Sequence, residues 1–553
     1  MSRRTARRLT VATAFAAGPF AAVAAAGDWV FEPVVLKDDT VAGIGLVDGI
    51  TDLALNDNGN WAIAVNTSFP DTFANSVVLI DGAVYYREGD PVPGVLDTGL
   101  NGFGQLSLDD TGKLASDLYT WPLSGGFNAE IVHWGGHELF RSGDNAPATS
   151  YGQGALWASF SQVLNNSSNQ ILLHASVDDP NTAAVYDQGL HLMTLDDAGS
   201  VLVDVLMSKT GDNVTTASGA TQSVESIHGG PHSKAISENG ICMWLVDASG
   251  PAAFEISALI NGTPVVQEGG PSPLLGRTWK DLSYAPLDIN SKADWVIQGK
   301  LSGDSATEHL IAVNGQKLVQ SGDPVPGVPG ATILNFSQTA PLQIDEGGQV
   351  LWIGTWLDGG LRNGLFIDHE PLVVEGLTTF EGATFIDVYA FQDGFAMAPD
   401  GTRILFRGVL DDGRNGVFSA TLEAGVEVLA GCSGNPMTLT VSAPPALGQS
   451  IVFDAAGSDF AIEASSLFLS ALPVIPGSPC GVPLGVAGEL LVALSPAPLQ
   501  VPMVGSPGSL ALTVPALPAL AGADLYAQGA SVNLGGGLDL LRLTNGLRLC
   551  LGE

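Results

Sequence analysis

The hexapeptide Gly-Asp-Pro-Val-Pro-Gly occurs twice in this chain, at residues 89–94 and 322–327, which are 233 positions apart. Weaker copies, such as RSGDNAP from Arg141 and QEGGPSP from Gln267, lie between them. Equivalent positions therefore recur at steps of 53 to 68 residues, running from Asp90 to Leu377. A period of this length indicates one supersecondary unit per repeat.

Two further series of turns keep the same period. Tight polar turns recur as LNDNGN, LDDTGK, LNNSSN, ISENGI, INSKAD, IDEGGQ and APDGTR, with equivalent positions at Asn56, Asp109, Asn165, Ser237, Asn290, Asp345 and Ala398. Between them lie the dipeptides Asp81-Gly82, Gly135-Gly136, Asn261-Gly262 and Asn314-Gly315. These pairs accept positive φ and are the usual two-residue turns of β-hairpins.

Each unit thus contains four strands in about 50 residues and no helical periodicity, which is typical of a β-propeller blade. We predict an all-β fold, with a seven-bladed propeller of four-stranded blades over residues 27–431 and a small β-sandwich over residues 432–553. An open solenoid of β-rich repeats is the alternative.

Known families show related sequences. MAPDGTRILFRG, at residues 397–408, resembles the core of TolB-type, WD40-like propeller repeats, in which the Pro-Asp-Gly turn joins the first two strands of a blade. The repeat that ends in GDPVPG resembles large secreted repeat proteins of planctomycetes and related bacteria, as does the C-terminal segment LAGADLYAQGASVN…LTNGLRLCLG. The resemblance implies a propeller fold and export. It carries over no catalytic residue.

The repeated loop is interpreted as the crossover from the last strand of one blade to the first strand of the next, stiffened by its prolines. Residues 29–43 resemble an outer strand plus crossover without the three preceding strands. This segment is predicted to complete the last blade and close the ring, although GVEVLAG at residues 425–431 competes for the same place.

The N-terminus predicts export. Four arginines, an apolar run from Leu9 to Val23 and three alanines form a signal peptide over residues 1–26. Its removal leaves 17 basic against 57 acidic residues, a balance of −40. Such a field repels nucleic acid and anionic membrane, and no later segment is long and apolar enough to span a bilayer. We expect a secreted or cell-surface monomer.

The sequence pattern changes after Gly431, where the C-terminal tail begins. Alternating apolar runs separated by Pro/Gly clusters indicate the β-sandwich. Three of the four cysteines lie there, and export makes a disulfide reasonable, with Cys432–Cys480 as the favoured pair. Cys242, in GICMWLV, is predicted to be a buried strand thiol.

Candidate site residues come from one position in the repeat. In HGGPH, His228 and His232 precede the inner strand of their blade near the mouth of the central channel, with Glu225 nearby. Two imidazoles and a carboxylate could hold Zn²⁺ or a similar ion. The acidic composition also allows Ca²⁺ sites. The corresponding positions of other blades carry Tyr284, Thr339, Tyr389 and Asp393, a set that suits recognition of a sugar or peptide.

The mature sequence contains none of the common serine hydrolase, zinc peptidase, CxxC or phosphate-loop motifs. The first hypothesis is therefore an exported, non-enzymatic propeller that binds an extracellular glycan, peptide or cell-surface component. A hydrolase or lyase acting on a polysaccharide, with its site near His228, His232 and Asp393, is the second. A calcium-stabilised scaffold is the third.

Overall fold

The structure is a computed structural model that describes residues 29–551 with short gaps. The stretches outside the description are 1–28, 125–127, 183–185, 216–220, 251–254, 423–424, 430–434, 458–459, 461–462, 475–480, 485–486, 494, 496–497, 505–507, 516–522, 535–540 and 552–553. The predicted signal peptide and the Cys432–Cys480 pair lie outside the described residues. Within them the regular structure is β, apart from one 3-10 turn at Ser305–Thr307. No helix found there is long and apolar enough to cross a membrane.

The N-terminal strand and the first three sheets cover residues 29–209. Strand β1 is Trp29–Leu36. Sheet 1 contains β2 Thr40–Val41, β3 Gly45–Leu55, β4 Trp61–Thr67, β5 Ser76–Ile80 and β6 Ala83–Arg87. Sheet 2 contains β7 Thr98–Phe103, β8 Ser107–Leu108, β9 Leu114–Pro122, β10 Ala129–Trp134 and β11 His137–Arg141. Sheet 3 contains β12 Leu156–Asn166, β13 Gln170–Asp178, β14 Asp187–Leu195 and β15 Val201–Lys209.

Four more sheets follow up to residue 422. Sheet 4 contains β16 Asn213–Thr215, β17 Thr221–Ile227, β18 Lys234–Ile236, β19 Cys242–Ala248, β20 Ile256–Ile260 and β21 Thr263–Gln267. Sheet 5 contains β22 Trp279–Asp281, β23 Leu287–Ile289, β24 Trp295–Leu301, β25 His309–Val313 and β26 Gln316–Gln320. Sheet 6 contains β27 Ile333–Phe336, β28 Gln343–Ile344, β29 Val350–Leu357, β30 Leu361–Ile367 and β31 Glu370–Val374. Sheet 7 contains β32 Thr379–Phe380, β33 Ala383–Val388, β34 Phe395–Met397, β35 Arg403–Leu410 and β36 Asn415–Leu422, and β1 joins it.

The strands within each sheet are antiparallel and follow chain order, because short hairpin turns connect them. The turns at Asp81-Gly82, Asn261-Gly262 and Asn314-Gly315 hold both residues at positive φ, as the dipeptides predict. The polar turns also occur where they are predicted, with one shift. In LNNSSN it is Asn166, not Asn165, whose side-chain oxygen accepts from the backbone N–H groups of Ser168 and Gln170.

The hydrophobic core consists of seven clusters, each shared by two consecutive sheets, and the last cluster joins sheet 7 to sheet 1. Hydrogen bonds between the polar turns follow the same closed cycle. They run from Asp57 N to Asp110 (2.8 Å), Asp110 N to Ser167 (3.0 Å), Ser167 N to Glu238 (2.9 Å), Asn239 to Ser291 (2.7 Å), Ser291 N to Glu346 (3.0 Å), Glu346 N to Pro399 (2.7 Å) and Asp400 N to Asp57 (2.6 Å). The sheets are therefore linked in a ring that ends where it began.

The two complete GDPVPG loops make the same contacts. Each follows the last strand of one sheet and forms a β-bridge to the start of the next, Pro91 with Gly99 and Pro324 with Thr332. In the first copy, the N–H of Gly89 donates to Leu100 and that of Leu100 donates to Asp90, both at 2.9 Å. This is the crossover that the sequence predicts.

The N-terminal strand completes the last of the seven sheets. β1 pairs antiparallel with β36, from Trp29 opposite Leu422 to Leu36 opposite Gly416. The competing segment does not take this place, because β37, Gly425–Leu429, pairs with the last strand of the tail. Backbone pairing therefore changes partner between Leu422 and Gly425, a few residues before the predicted boundary at 431.

The described residues of the tail form β37 and nine further strands, arranged in sheets of five, three and two strands. They are β38 Thr438–Val441, β39 Ser450–Ala456, β40 Glu463–Ser470, β41 Val482–Pro483, β42 Glu489–Leu490, β43 Leu499–Pro502, β44 Ser509–Thr513, β45 Asp524–Asn533 and β46 Leu541–Cys550. One hydrophobic cluster draws Ile451 and Phe453 from the three-stranded sheet and Leu467 and Leu547 from the five-stranded sheet.

Candidate functional site

The predicted site residues share one structural feature, the interruption of a first strand. The first strand is interrupted in sheet 2, between β7 and β8, and in each of sheets 4 to 7, where it is broken into β17/β18, β22/β23, β27/β28 and β33/β34. We call the four interruptions in sheets 4 to 7 the strand breaks. Six of the seven predicted ligand-binding or metal-binding residues lie in them: His228, His232, Tyr284, Thr339, Tyr389 and Asp393. Glu225 lies instead on β17 and is exposed.

The breaks of sheets 4, 5 and 7 meet one another. His232 Nε2 lies 2.6 Å from the carbonyl oxygen of Gln392, although sheets 4 and 7 are not neighbours in the cycle. The ring of His228 packs edge-on against Tyr284, with centroids 5.2 Å apart. The first strands therefore converge on a common centre, and the breaks approach each other across it.

Two aromatic side chains of the breaks are exposed beside these contacts. Tyr284 is 56% exposed and Phe391, which precedes Gln392, is 64% exposed. Tyr284 and His232 also have positive φ, of 58° and 57°, which side chains other than glycine adopt at some cost in energy. The backbone at the breaks is thus bent away from the regular ladder, and it presents large apolar side chains to solvent.

A polar network lies behind the exposed aromatic residues. Gln162 donates to Gln105 at 3.0 Å, and the ammonium of Lys234 donates to Gln162 at 3.1 Å and to the carbonyl of His228 at 2.5 Å. Lys234 is only 3% exposed. Burial lowers the pKa of Lys234 to about 7, because the charged ammonium loses its hydration there.

Two carboxyl groups are hydrogen-bonded to each other on the other side of the network. Burial and the charge of Asp393 raise the pKa of Asp52 well above its usual value. Burial raises the pKa of Asp393 to about 6, against the opposing effect of Arg407, whose guanidinium lies 4.5 Å from the ring centroid of Tyr389. Asp52 also accepts from the backbone N–H of Leu106 at 2.6 Å. Two adjacent carboxyl groups resist simultaneous ionisation, which favours a protonated carboxyl in this pair.

The predicted metal ligands are not gathered into a cluster. Within the described part of the chain, no group of three or more His, Cys, Asp or Glu side chains is placed to hold a metal ion. His228 accepts from the N–H of Gly230 at 3.4 Å, and His232 contacts a carbonyl oxygen. Burial lowers the pKa of His232 to about 4. Metal binding by Glu225, His228 and His232 stays a prediction, and unfolding with and without EDTA would test it.

The remaining predicted residue, Thr339, is exposed and lies 3.3 Å from the hydroxyl of Ser337 within the break of sheet 6. Its contacts are local. Nothing in the described part of that break connects Thr339 to the polar network.

Sequence reasoning missed most of the polar network. The missed members are Asp52, Gln105, Gln162, Lys234 and Arg407. A signal for three of them was present, because Asp52, Gln105 and Gln162 each stand four residues before the polar turn of their sheet, at Asn56, Asp109 and Asn166. Comparing the residue four positions before the polar turn in every repeat would have identified these three residues.

Comparison with known proteins gives a weak structural similarity. No family model matches the chain, and no curated protein matches it. Among solved structures, a puromycin hydrolase mutant complexed with PGG aligns with 73% of this chain at 12% sequence identity and a TM-score of 0.35. The chain spans 58% of the length of that solved chain.

Proposed function

We propose that this protein is an exported β-propeller that binds an extracellular glycan or peptide at the strand breaks and catalyses no reaction there. The seven sheets would be the blades, and the five- and three-stranded sheets of the tail would face each other as a β-sandwich. The closed cycle of shared clusters and turn contacts supports the propeller, because an open solenoid would leave its first and last repeats unpaired.

One observation carries the binding proposal. Sheets 4 to 7 all have an interrupted first strand, and six of the seven predicted site residues lie in these interruptions. Two of these breaks expose Tyr284 and Phe391 beside a polar network in which the ammonium of Lys234 donates to Gln162 and to the carbonyl of His228. Exposed aromatic faces flanked by a few fixed polar groups suit a sugar ring or an extended peptide.

The test is binding of the mature protein to glycan and peptide arrays, followed by calorimetry on the ligands that are retained. We expect Tyr284→Ala and Phe391→Ala each to weaken binding by tenfold or more, about 1.4 kcal/mol. Phe73→Ala is the matched control, since Phe73 is 69% exposed but lies in the β4–β5 loop of sheet 1. Equal affinity of the three variants and the wild type would rule out the strand breaks as the binding site.

A polysaccharide hydrolase is the second candidate, and the Asp52–Asp393 pair favours it. A carboxyl pair with one protonated member holds an acid and a base in one place. Under this alternative, Asp393→Asn would abolish release of reducing sugar from any polysaccharide that the arrays retain, with binding unchanged. Hydrolysis at the wild-type rate by Asp393→Asn would exclude the pair.

A further inference from the structure

We propose that Ser161 is an activated nucleophile, with His174 as its general base, and that it accepts acyl groups from activated carboxylic esters. The site lies on the first two strands of sheet 3, next to the polar network. It does not depend on ligand binding at the strand breaks, nor on the Asp52–Asp393 pair.

The backbone of β12 presents this serine. Sheet 3 has an unbroken first strand, but its register against β13 skips between Phe160 and Gln162. Ser161 is the extra residue of this bulge, and it is exposed while Phe160 and Gln162 are buried. A bulge of this kind re-aims one side chain without ending the strand. Here it directs the hydroxyl to His174, with Ser161 Oγ 2.6 Å from His174 Nδ1.

The imidazole of His174 is kept neutral, so one of its ring nitrogens has a lone pair that can accept a hydrogen bond from the serine. His174 is 3% exposed, and burial lowers its pKa well below the usual value, assisted by the nearby charge of Lys234 and by His228. The ring is therefore neutral, and with Nδ1 accepting from the serine its own proton lies on Nε2. Nε2 is buried and finds no hydrogen-bond partner among the described residues. The pair is thus a serine–histidine dyad, an arrangement in which the base activates the hydroxyl directly.

Two other histidines in the described sheets have hydroxyl partners, and they show what a purely structural pair looks like. Tyr86 contacts His133 at 2.5 Å and Tyr151 contacts His191 at 2.7 Å. In both pairs the tyrosine is buried, at 2% and 6% exposure, so no substrate can reach its oxygen. Ser161 differs because its residue is open to solvent while its histidine is not.

The step that this geometry supports is an acyl transfer. Ser161 Oγ attacks the ester carbonyl carbon and a new C–O bond forms, while the hydroxyl proton moves to His174 Nδ1. The bond to the leaving alkoxide breaks, and that proton passes from Nδ1 to the departing oxygen. Water then hydrolyses the acyl-serine by the reverse proton path, which restores the hydroxyl.

The test is covalent labelling of the mature protein with a fluorophosphonate probe, together with release of p-nitrophenol from p-nitrophenyl acetate. Peptide mapping by mass spectrometry is expected to locate the label on Ser161. Ser161→Ala should lose the label. His174→Gln should slow labelling at least about 100-fold, the usual contribution of a general base. Ser159→Ala, on the same strand, is the matched control and should react like the wild type.

Each outcome of the labelling experiment decides for or against the proposal. A label on another residue, or labelling of Ser161 no faster than that of Ser159, overturns the proposal. Undiminished labelling of a folded His174→Gln overturns the role of the base. If His174→Gln fails to fold, the labelling map of the wild type and of Ser161→Ala still decides the matter, because Ser161 is exposed and its substitution leaves the core intact.

Discussion

At the scale of single residues, the glycines of the crossover loops fit where no other residue would. Gly94 ends the first GDPVPG loop with a φ of +74°, and a Cβ at this position would lie 2.1 Å from the carbonyl oxygen of Gly136 in the next sheet. Gly327 ends the second copy with a φ of +71°, and its Cβ would approach Pro371 at 2.8 Å. The hexapeptide therefore keeps its final glycine for two reasons, backbone conformation and close contact with the neighbouring hairpin.

Gly94→Ala is expected to destabilise the protein more than Gly82→Ala. Both positions need positive φ, which costs about 1–3 kcal/mol for a residue with a Cβ, but Gly82 has nothing within 4 Å of the added atom. Thermal unfolding of the two variants measures the difference. Equal melting temperatures would show that the loop moves away from Gly136 without cost.

Only some residues of the candidate site could be predicted from the sequence. HGGPH, Tyr284, Tyr389 and Asp393 could be grouped from the sequence because they stand at one position of the repeat, and a repeat places equivalent residues at equivalent sites. The interruption of the first strand at that position was not predicted. The sequence could not show that Asp52 would hydrogen-bond Asp393, because these residues lie in the first and last sheets and meet only when the cycle closes. The Ser161–His174 pair could not be predicted either. It depends on the bulge at Ser161, and no spacing in the sequence indicates that bulge.

At the scale of elements, the N-terminal strand closes the last sheet through apolar side chains of two core clusters. Among them, the ring of Phe31 packs edge-on against Phe385 and Phe406, with centroids 6.1 and 5.9 Å away. The next residue, Glu32, is exposed. Strand closure was predictable because residues 29–43 repeat an outer strand without its hairpin. The pairing of residues 425–429 with β46 was not predictable, because β46 lies more than a hundred residues further along the chain.

Phe31→Ala is expected to lower the free energy of unfolding by about 2–4 kcal/mol. The protein loses the free energy of burying the phenyl ring, and the neighbouring phenylalanines lose their contacts with it. Glu32→Ala should have no measurable effect. Urea unfolding followed by tryptophan fluorescence provides the comparison. A Phe31→Ala protein as stable as the Glu32→Ala protein would mean that β1 contributes little to closing the ring.

At the scale of the whole molecule, the cycle of turns concentrates negative charge. Asp57, Asp110, Glu238, Glu346 and Asp400 all belong to the turn contacts that link the seven sheets. Burial, with the charges of Asp400 and Asp110, raises the pKa of Asp57 to about 8. Between its unfolded value of 3.8 and about 8 the folded protein binds the proton more tightly, so the contribution of Asp57 to stability falls as pH rises through this window.

Asp57→Asn should therefore stabilise the protein more at pH 8 than at pH 5. The amide oxygen can still accept from the N–H of Asp400, so the turn contact is kept. Melting temperatures at the two pH values test this, with Asp48→Asn, an exposed position on β3, as the control. A gain at pH 5 as large as that at pH 8 would show that the charge of Asp57 is not the cause.

The pairing of β1 with β36 also sets an order of events during biosynthesis. Glu32 and its hydrogen-bond partner Ser419 are 387 residues apart. A chain that leaves the ribosome N-terminus first must carry its opening strand unpaired until nearly all seven sheets have been made, and contacts between such distant residues form slowly. The nascent chain, rather than the finished ring, is then the form most exposed to proteases and most in need of a chaperone.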